Sequence, residues 1–316
     1  MTIQARGYKA ASTLDWENGY NTAPTTAGGL NLPINTNNLE HKQTLIESET
    51  ITGSRNASQS SLGRKSVEGS IVIPADYRAI GAWLKALFGD PTTSGSAAPY
   101  THIYKVTDNQ PSFLLEKAFP DVSKFFLYHG CKLNTMKFSF GEDNEMTVEL
   151  DVLGSHRTIE SAAYNDEATV LKKLPISQNH AYVKINNVES AIIKNGEFTL
   201  DGGLDGDQYV VGGGGVRGDI PEGIFQASGS LSALFKDTTI MGYADAGTTV
   251  SLEIGFVLGD NTSLKFLFPE VQVEPSDAPI SGPAGVSFDF NWRAFHNSDS
   301  GNSVVVVTLK NDTGSY

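Results

Sequence analysis

The sequence predicts a mainly β protein of two tandem domains, each with one short flanking helix. Three observations carry that reading. Apolar and polar side chains alternate with period two in most patterned segments, as half-buried strands require. Glycine supplies 32 of the 316 residues, and Ser, Thr, Asn and Asp crowd between the patterned runs, which is the chemistry of turns. One order of parts, strand–loop–strand–helix–hairpin, occurs twice.

The first occurrence begins at Thr44–Gly89. A strand is expected at Thr44–Ile51, with Glu47 and Glu49 on one face and Ile46 on the other. A polar loop follows at Thr52–Arg64, and a loop of that length in a compact domain is functional or disordered. The next strand, Ser66–Ile73, sets Val67, Gly69, Ile71 and Ile73 against Ser66, Glu68 and Ser70. Ile80, Trp83, Leu84, Leu87 and Phe88 fall at helical spacing and predict a helix over Asp76–Phe88. Asp76 stands where an N-cap belongs and Gly89 where a stop belongs.

The hairpin that completes this unit is the clearest β signal. Met136, Phe138 and Phe140 alternate with Lys137 and Ser139; after the turn Gly141–Glu145, Met146, Val148, Leu150 and Val152 alternate with Thr147, Glu149 and Asp151. One face is oily and one wet, as in antiparallel sheets.

The second occurrence reads Gly196–Asp201 (strand), Gly202–Glu222 (glycine-rich loop), Ile224–Leu234 (strand) and Lys236–Ala246 (short helix). Val67–Ile73 and Ala227–Ala233 share a central Gly-Ser. Pro111–Phe119 answers Val250–Leu258, Phe126–Phe140 answers Leu264–Pro275, and Asp143–Gly154 answers Ala284–Phe295. Upstream, Leu30–Lys42 is matched to Ala181–Ile193. The expected organisation is an N-terminal arm (1–29), a first domain (30–154), a linker (155–179) with a helical turn in Asn165–Leu174, and a second domain with a C-terminal strand (180–316). The arm has a short strand near Ala10–Leu14 and docks on its own domain or on a neighbouring subunit. Val304–Leu309 (VVVVTL) has to join a sheet, in this subunit or the next, because such a strand left unpaired invites aggregation.

Composition excludes several classes. The net charge is −13, so a groove holding nucleic acid tightly is not expected, whereas a channel through which it slides is compatible. Cys131 is the sole cysteine, which rules out an internal disulfide and reads as a buried, inert thiol. No run of about 18 apolar residues predicts a membrane span. The opening MTIQARGYKAAST lacks a signal-peptide core, so synthesis in a reducing cytoplasm is expected.

No enzyme is legible. The six histidines are scattered without metal-ligand spacing. Glu47/Glu49 and Glu149/Asp151 read as the wet faces of strands rather than as a glycosidase pair. The run Gly202–Gly218 lacks the Gly-Lys-Ser/Thr ending of a phosphate loop and reads as a flexible loop. No cofactor is expected.

With these parts in place the chain resembles the tail tube (major tail) proteins of long-tailed bacteriophages, duplicated-domain variety. The likeness rests on ETITGSRN (Glu49–Asn56), GRKSVEGSIVIPAD (Gly63–Asp76), WLKALFG (Trp83–Gly89) and THIYKVTDNQPSFLLEK (Thr101–Lys117). It is strongest over Glu17–Gly154. The second copy departs from the pattern in its helix, KDTTIMGYADA, which is poor in Leu. The resemblance implies two tandem tail-tube-like β-sandwich domains whose sheets join between subunits into a ring-shaped β-barrel, with rings stacked into a tube through which DNA is ejected into the host. Two domains in one chain imply a homotrimeric, pseudo-sixfold ring. Implied partners are other copies of the chain, the tape measure protein, the tail terminator and baseplate proteins, with genomic DNA passing through the lumen and no membrane. The implied location is the virion tail. An adhesin or carbohydrate-binding module of a virion fibre is the alternative.

The two long loops are expected to contact the adjacent ring, through Gly53, Arg55, Asn56 and Arg64 and through Gly212, Gly213, Gly214, Gly215 and Arg217. Acidic residues of the wet faces are expected at the lumen: Glu149, Asp151 and Asp289, then Glu68 and Glu253. Alternation fixes the face of each strand, not whether that face looks into a channel or outward.

Overall fold

The structure, a computed structural model, describes residues 4–280, 282–297 and 303–316. The first residues of the N-terminal arm and residues 298–302 of the C-terminal tail lie outside the described residues.

The described residues are mainly β with two α-helices. Its first half contains β1 (Ala11–Trp16), β2 (Leu30–Asn31), β3 (Thr36–Asn37), β4 (Glu40–Ile46), β5 (Ser61–Pro74), α1 (Ile80–Phe88), β6 (Thr92–Ser94), β7 (Tyr100–Lys105), β8 (Phe113–Phe119), β9 (Lys124–Phe140), β10 (Thr147–Gly154), β11 (His156–Glu160) and β12 (Thr169–Val170). The second half contains β13 (Ala181–Ile185), β14 (Val188–Glu189), β15 (Ile193–Asp201), β16 (Gln226–Leu234), α2 (Thr239–Asp245), β17 (Val250–Gly259), β18 (Thr262–Val273), β19 (Ser287–Ala294) and β20 (Val306–Asn311).

One antiparallel wall sheet runs through both halves in the order β4–β5–β10–β9–β15–β16–β19. The halves meet where β15 lies along the C-terminal part of β9. The N-terminal part of β9 leaves the wall and joins β1, β8 and β11. In the second half, β13, β17 and β18 continue through β20 to β7 and β6 of the first. The buried core is shared. Phe138 stacks on Phe198 with ring centroids 4.9 Å apart, and both meet Phe266 edge-on at 4.8 and 5.0 Å. Such pairs add to the stabilisation from burial alone.

The pairing scheme of one half returns in the other. β10 lies between β5 and β9 as β19 lies between β16 and β18. β11 flanks the N-terminal part of β9 as β20 flanks that of β18. β1 pairs with β8 as β13 pairs with β17. Gly69 stands opposite Val152 and Gly229 opposite Trp292, so the two Gly-Ser strands share one register. By pairing, the counterpart of Ala181–Ile185 is Ala11–Trp16 and not part of Leu30–Lys42; local alternation could not reveal this, because the matching lies in the strands' partners.

Both Gly-Ser glycines stand where a neighbouring backbone comes close. A Cβ on Gly229 would lie 2.3 Å from the Glu197 carbonyl oxygen, and one on Gly69 would lie 2.5 Å from that of Asn38. Gly229→Ala is expected to lower stability by about 1–3 kcal/mol, the usual cost of overpacking. Denaturant unfolding tests this; an unchanged midpoint would mean that β15 yields freely.

Several expectations shift. The strand placed at Thr44–Ile51 is β4 at Glu40–Ile46, so Glu47 and Glu49 belong to the loop. Pairing with β5 holds β4 from Glu40 through Gln43, and an irregularity before Leu45 loosens the hairpin beyond. β5 begins at Ser61, which makes Arg64 a strand residue. α1 begins at Ile80; Asp76 instead closes the preceding turn, its Oδ1 accepting from the amides of Arg78 and Ala79, both at 2.8 Å. α2 is shorter than Lys236–Ala246, at Thr239–Asp245. In place of a helical turn, Asn165–Leu174 contains β12, paired parallel with β2. The arm supplies β1, mostly buried, to the sheet of its own half. The C-terminal apolar run forms β20 inside this subunit, between β18 and β7.

Candidate functional site

The wall sheet has one face in the core and one in solvent. Val148, Leu150 and Val152 of β10, Phe138 of β9, Phe198 of β15 and Phe290 of β19 are buried. The opposite face carries Glu149 and Asp151 (β10), Lys137 (β9), Glu197 and Asp201 (β15), Ser228, Ser230 and Ser232 (β16), and Asp289, Asn291 and Arg293 (β19). Cross-strand partners set these side chains in rows. Lys137 stands opposite both Glu149 and Thr199, and Ser232 opposite Asp289. Lys137 pairs with Glu197 at 2.8 Å, and the Thr135 hydroxyl donates to Asp151 at 2.8 Å.

Among the sequence candidates, Glu149, Asp151, Asp289 and Glu68 therefore share one polar face. Glu253 does not: it lies on β17, where it accepts from the Tyr182 hydroxyl at 2.6 Å and pairs with Lys184 at 3.1 Å. Alternation along β17 is as regular as along β10, but nothing local says to which sheet a strand belongs. Two carboxylates of the polar face, Glu197 and Asp201, went unnamed; the alternation of EFTLD with Phe198 and Leu200 inward was the signal for them.

The long loops leave the wall sheet at the same end, because β5 and β16 run in the same direction. The glycine-rich loop is docked rather than free. Arg217 is 5 % exposed, and its guanidinium donates to the carbonyls of Gly206, Val67 (3.1 Å) and Gly154 (2.9 Å) and pairs with Glu68. Arg217 is thus an internal anchor and not available to an adjacent ring. Burial alone would raise the pKa of Glu68; the Arg217 bond, with Lys42 behind it, instead holds it below the ordinary carboxylate range. Further along, Ile220 is buried, and Lys132 donates to its carbonyl at 2.9 Å and pairs with Glu222 at 2.8 Å.

At the loop's turn the Lys65 amide donates to the Gly215 carbonyl at 2.7 Å, and Arg64 lies 4.6 Å over the Tyr209 ring. Arg64 and Gly215 are therefore brought together. Gly53, Arg55 and Asn56 stay in the exposed hairpin loop, and a Cβ on Gly212 or Gly214 would meet open space. Leu45, Ile46, Ile51 and Leu62 are exposed around the hairpin tip, with Leu45 opposite Leu62. Val210 and Val211 are exposed on the glycine-rich loop, which meets β5 at Arg64 and Lys65. Such grouping marks a contact surface. The sequence pattern set Ile46 opposite Glu47 and Glu49 on a half-buried strand, whereas Ile46 is exposed here.

Among the described residues no group of three or more His, Cys, Asp or Glu could hold a metal ion, and no helix is long and apolar enough to cross a membrane. Cys131 is buried, which pushes its thiol pKa up.

His129 and His156 stack with ring centroids 4.6 Å apart. Burial, and then the neighbouring ring, lower the pKa of His129 to about 4. The unfolded chain takes up this proton near the ordinary value of about 6.5. Stability should therefore fall as pH drops from about 6.5 toward 4, because the unfolded state binds the proton first. His129→Gln is expected to flatten the melting temperature across that window; an equally steep profile would assign the loss to other groups.

A family described as phage tail tube protein matches residues 7–294, nearly the whole chain. No curated protein matches it. The family is structural rather than catalytic, and its members form the tube of the phage tail. A β-rich chain with a long polar sheet face fits that description, and the chain belongs to the phage tail tube proteins.

Proposed function

We propose that three copies of this chain close into a pseudo-sixfold ring, that rings stack into the tail tube, and that the polar face of the wall sheet lines the channel for DNA ejection. The carrying observation is that the wall sheet crosses from one half to the other without interruption, each half repeating the same pairings with its polar side chains on the same face. The two halves then act as tandem copies of one unit, the first including the arm. Closure removes the exposed edge strands of the sheet.

The acidic balance of the face suits passage of DNA. Three chains at −13 each carry −39, and acidic side chains facing a channel repel phosphates instead of holding them. The chain has no enzymatic role and needs no cofactor. It is made in the host cytoplasm and ends in the virion, where it meets the tape measure, terminator and baseplate proteins.

The exposed loop tips contact the next ring. Deleting Gly212–Gly215 removes one tip and the bond to Lys65, while Arg217 keeps its hold on the sheet. The variant should stay folded and polymerise poorly; tubes of normal yield and length would exclude this tip as a stacking element. Negative-stain electron microscopy of the purified protein tests the whole reading. Rings or tubes support it, whereas particles that stay monodisperse at high concentration favour a fibre binding module.

A further inference from the structure

Among the described residues β4, at one lateral edge of the wall sheet, pairs with β5 alone, and at the other edge β18 stops pairing with β19 after Val273; the junction between the halves is a template for what pairs these edges. At that junction Gly196 stands opposite Phe140 and Asp201 opposite Thr135. Glu40 stands opposite Glu68 as Thr199 stands opposite Ser228, which makes Thr36–Lys42 the counterpart of Asn195–Asp201. Cys131 stands opposite Phe113 as Val271 stands opposite Val250. Beyond it, the Glu274 amide donates to Asn291 at 2.9 Å, where Thr135 stands opposite Asp151. Glu274 is therefore the counterpart of Thr135, and Glu274–Ile280, which follows β18 and forms no strand within the chain, occupies the sequence positions of the part of β9 that receives β15.

We propose that Thr36–Lys42 of one copy pairs with Glu274–Ile280 of the next in the register of the β9–β15 junction, and that Lys117 and Tyr128 guard the first of these edges in the free chain. This rests on the ring reading above.

The guard is visible at Leu39. Its carbonyl accepts from Lys117 Nζ at 2.6 Å and from the Tyr128 hydroxyl at 2.9 Å, and its amide donates to Asn37 Oδ1 at 3.0 Å. Lys117 also reaches the Asn37 carbonyl at 3.4 Å. Leu115 and Tyr128 pair as Leu252 and Phe268 do, so the counterparts of Lys117 and Tyr128 are Ile254 and Phe268. Those side chains have no polar atom and need none, because the edge of β15 is already satisfied by β9. The ammonium and the hydroxyl occur only where the edge is open. On the other edge Pro275 and Pro279 lack an amide donor, which confines such a segment to an edge and leaves it fewer hydrogen bonds to give a neighbour than β9 gives β15. The register also sets Lys42 opposite Glu274, a favourable cross-strand pair.

The test is a double variant, Lys42→Cys with Glu274→Cys, in which Cys131 is the sole other thiol and is buried. Oxidised tubes should give covalent dimers and trimers on a non-reducing gel, and neither single variant should. Tubes that form without cross-links overturn the seam, whereas failure of the unmodified chain to form tubes overturns the ring reading instead. If the cysteine pair prevents assembly, the charge exchange decides: Lys42→Glu and Glu274→Lys should each impair assembly, and together restore it. Lys117→Ile, which copies the second half, should lower the concentration at which tubes appear; an unchanged concentration overturns the guard. If that variant does not fold, Tyr128→Phe removes one bond of the same guard and is read the same way.

Discussion

Replacing Arg217 with alanine should cost the protein about 3 kcal/mol of stability, the largest effect expected of any single exchange outside the aromatic core. The reason is what the side chain leaves behind. Its guanidinium satisfies the carbonyls of Gly206, Val67 and Gly154 and neutralises Glu68, all at the seam between the glycine-rich loop and the wall sheet. Removing it strands a half-buried carboxylate and unpairs buried carbonyls together. Glu68 keeps some contact with water, which holds the cost at the lower end for a broken buried pair. Arg217→Lys should recover only part of the loss, since an ammonium cannot span the same fork of acceptors. The pH dependence has a definite sign. Glu68 is held below the ordinary carboxylate range, so its contribution is present above about pH 4.5 and fades as pH falls through its folded value. The gap between the unmodified protein and Arg217→Ala should therefore narrow in acid. Denaturant unfolding at neutral and acid pH measures both effects, and a loss below about 1 kcal/mol at neutral pH would mean that the loop is held by its other contacts.

The second large effect is on transport. Lysine at Glu149, Asp151 and Asp289 together should slow DNA ejection markedly while tube length stays normal. The three positions share the polar face, and their exchange takes the chain from −13 to −7. A single exchange should do little, since exposed charges are screened within about 8 Å at physiological salt. Three in every chain of every ring instead give repeated phosphate contacts along the channel, and such contacts accumulate in a salt-dependent way. Raising the salt should partly restore the ejection rate. Unchanged ejection from tubes of normal length would put this face outside the channel.

What could be read beforehand follows from the range of each signal. Alternation along Met136–Phe140 and Met146–Val152 placed Glu149 and Asp151 correctly opposite the core, because a strand's two faces are set within a few residues. The shared Gly-Ser of Val67–Ile73 and Ala227–Ala233 marked strands that pair in the same register, because one steric demand, a neighbouring backbone too close for a Cβ, acts on both. Partners of strands are not written locally. Glu253 alternates as well as Glu149 does, yet β17 belongs to another part of the sheet network. Arg217, within a run of glycines, read as part of a flexible tip; its burial depends on carbonyls contributed by Val67 and Gly154, far away in sequence. The same long-range dependence hid the role of Ala11–Trp16, whose pairing with β8 makes the arm part of a sheet.

The central claim is that the wall sheet continues from chain to chain around a channel lined by its polar face. Cryo-electron microscopy of the assembled tube, at a resolution that traces side chains, tests it most directly. The predicted result is three chains per ring, a wall sheet continuous across every chain boundary, and Glu149, Asp151 and Asp289 pointing into the lumen. Six chains per ring, or that same face turned to the outside of the tube, would contradict it.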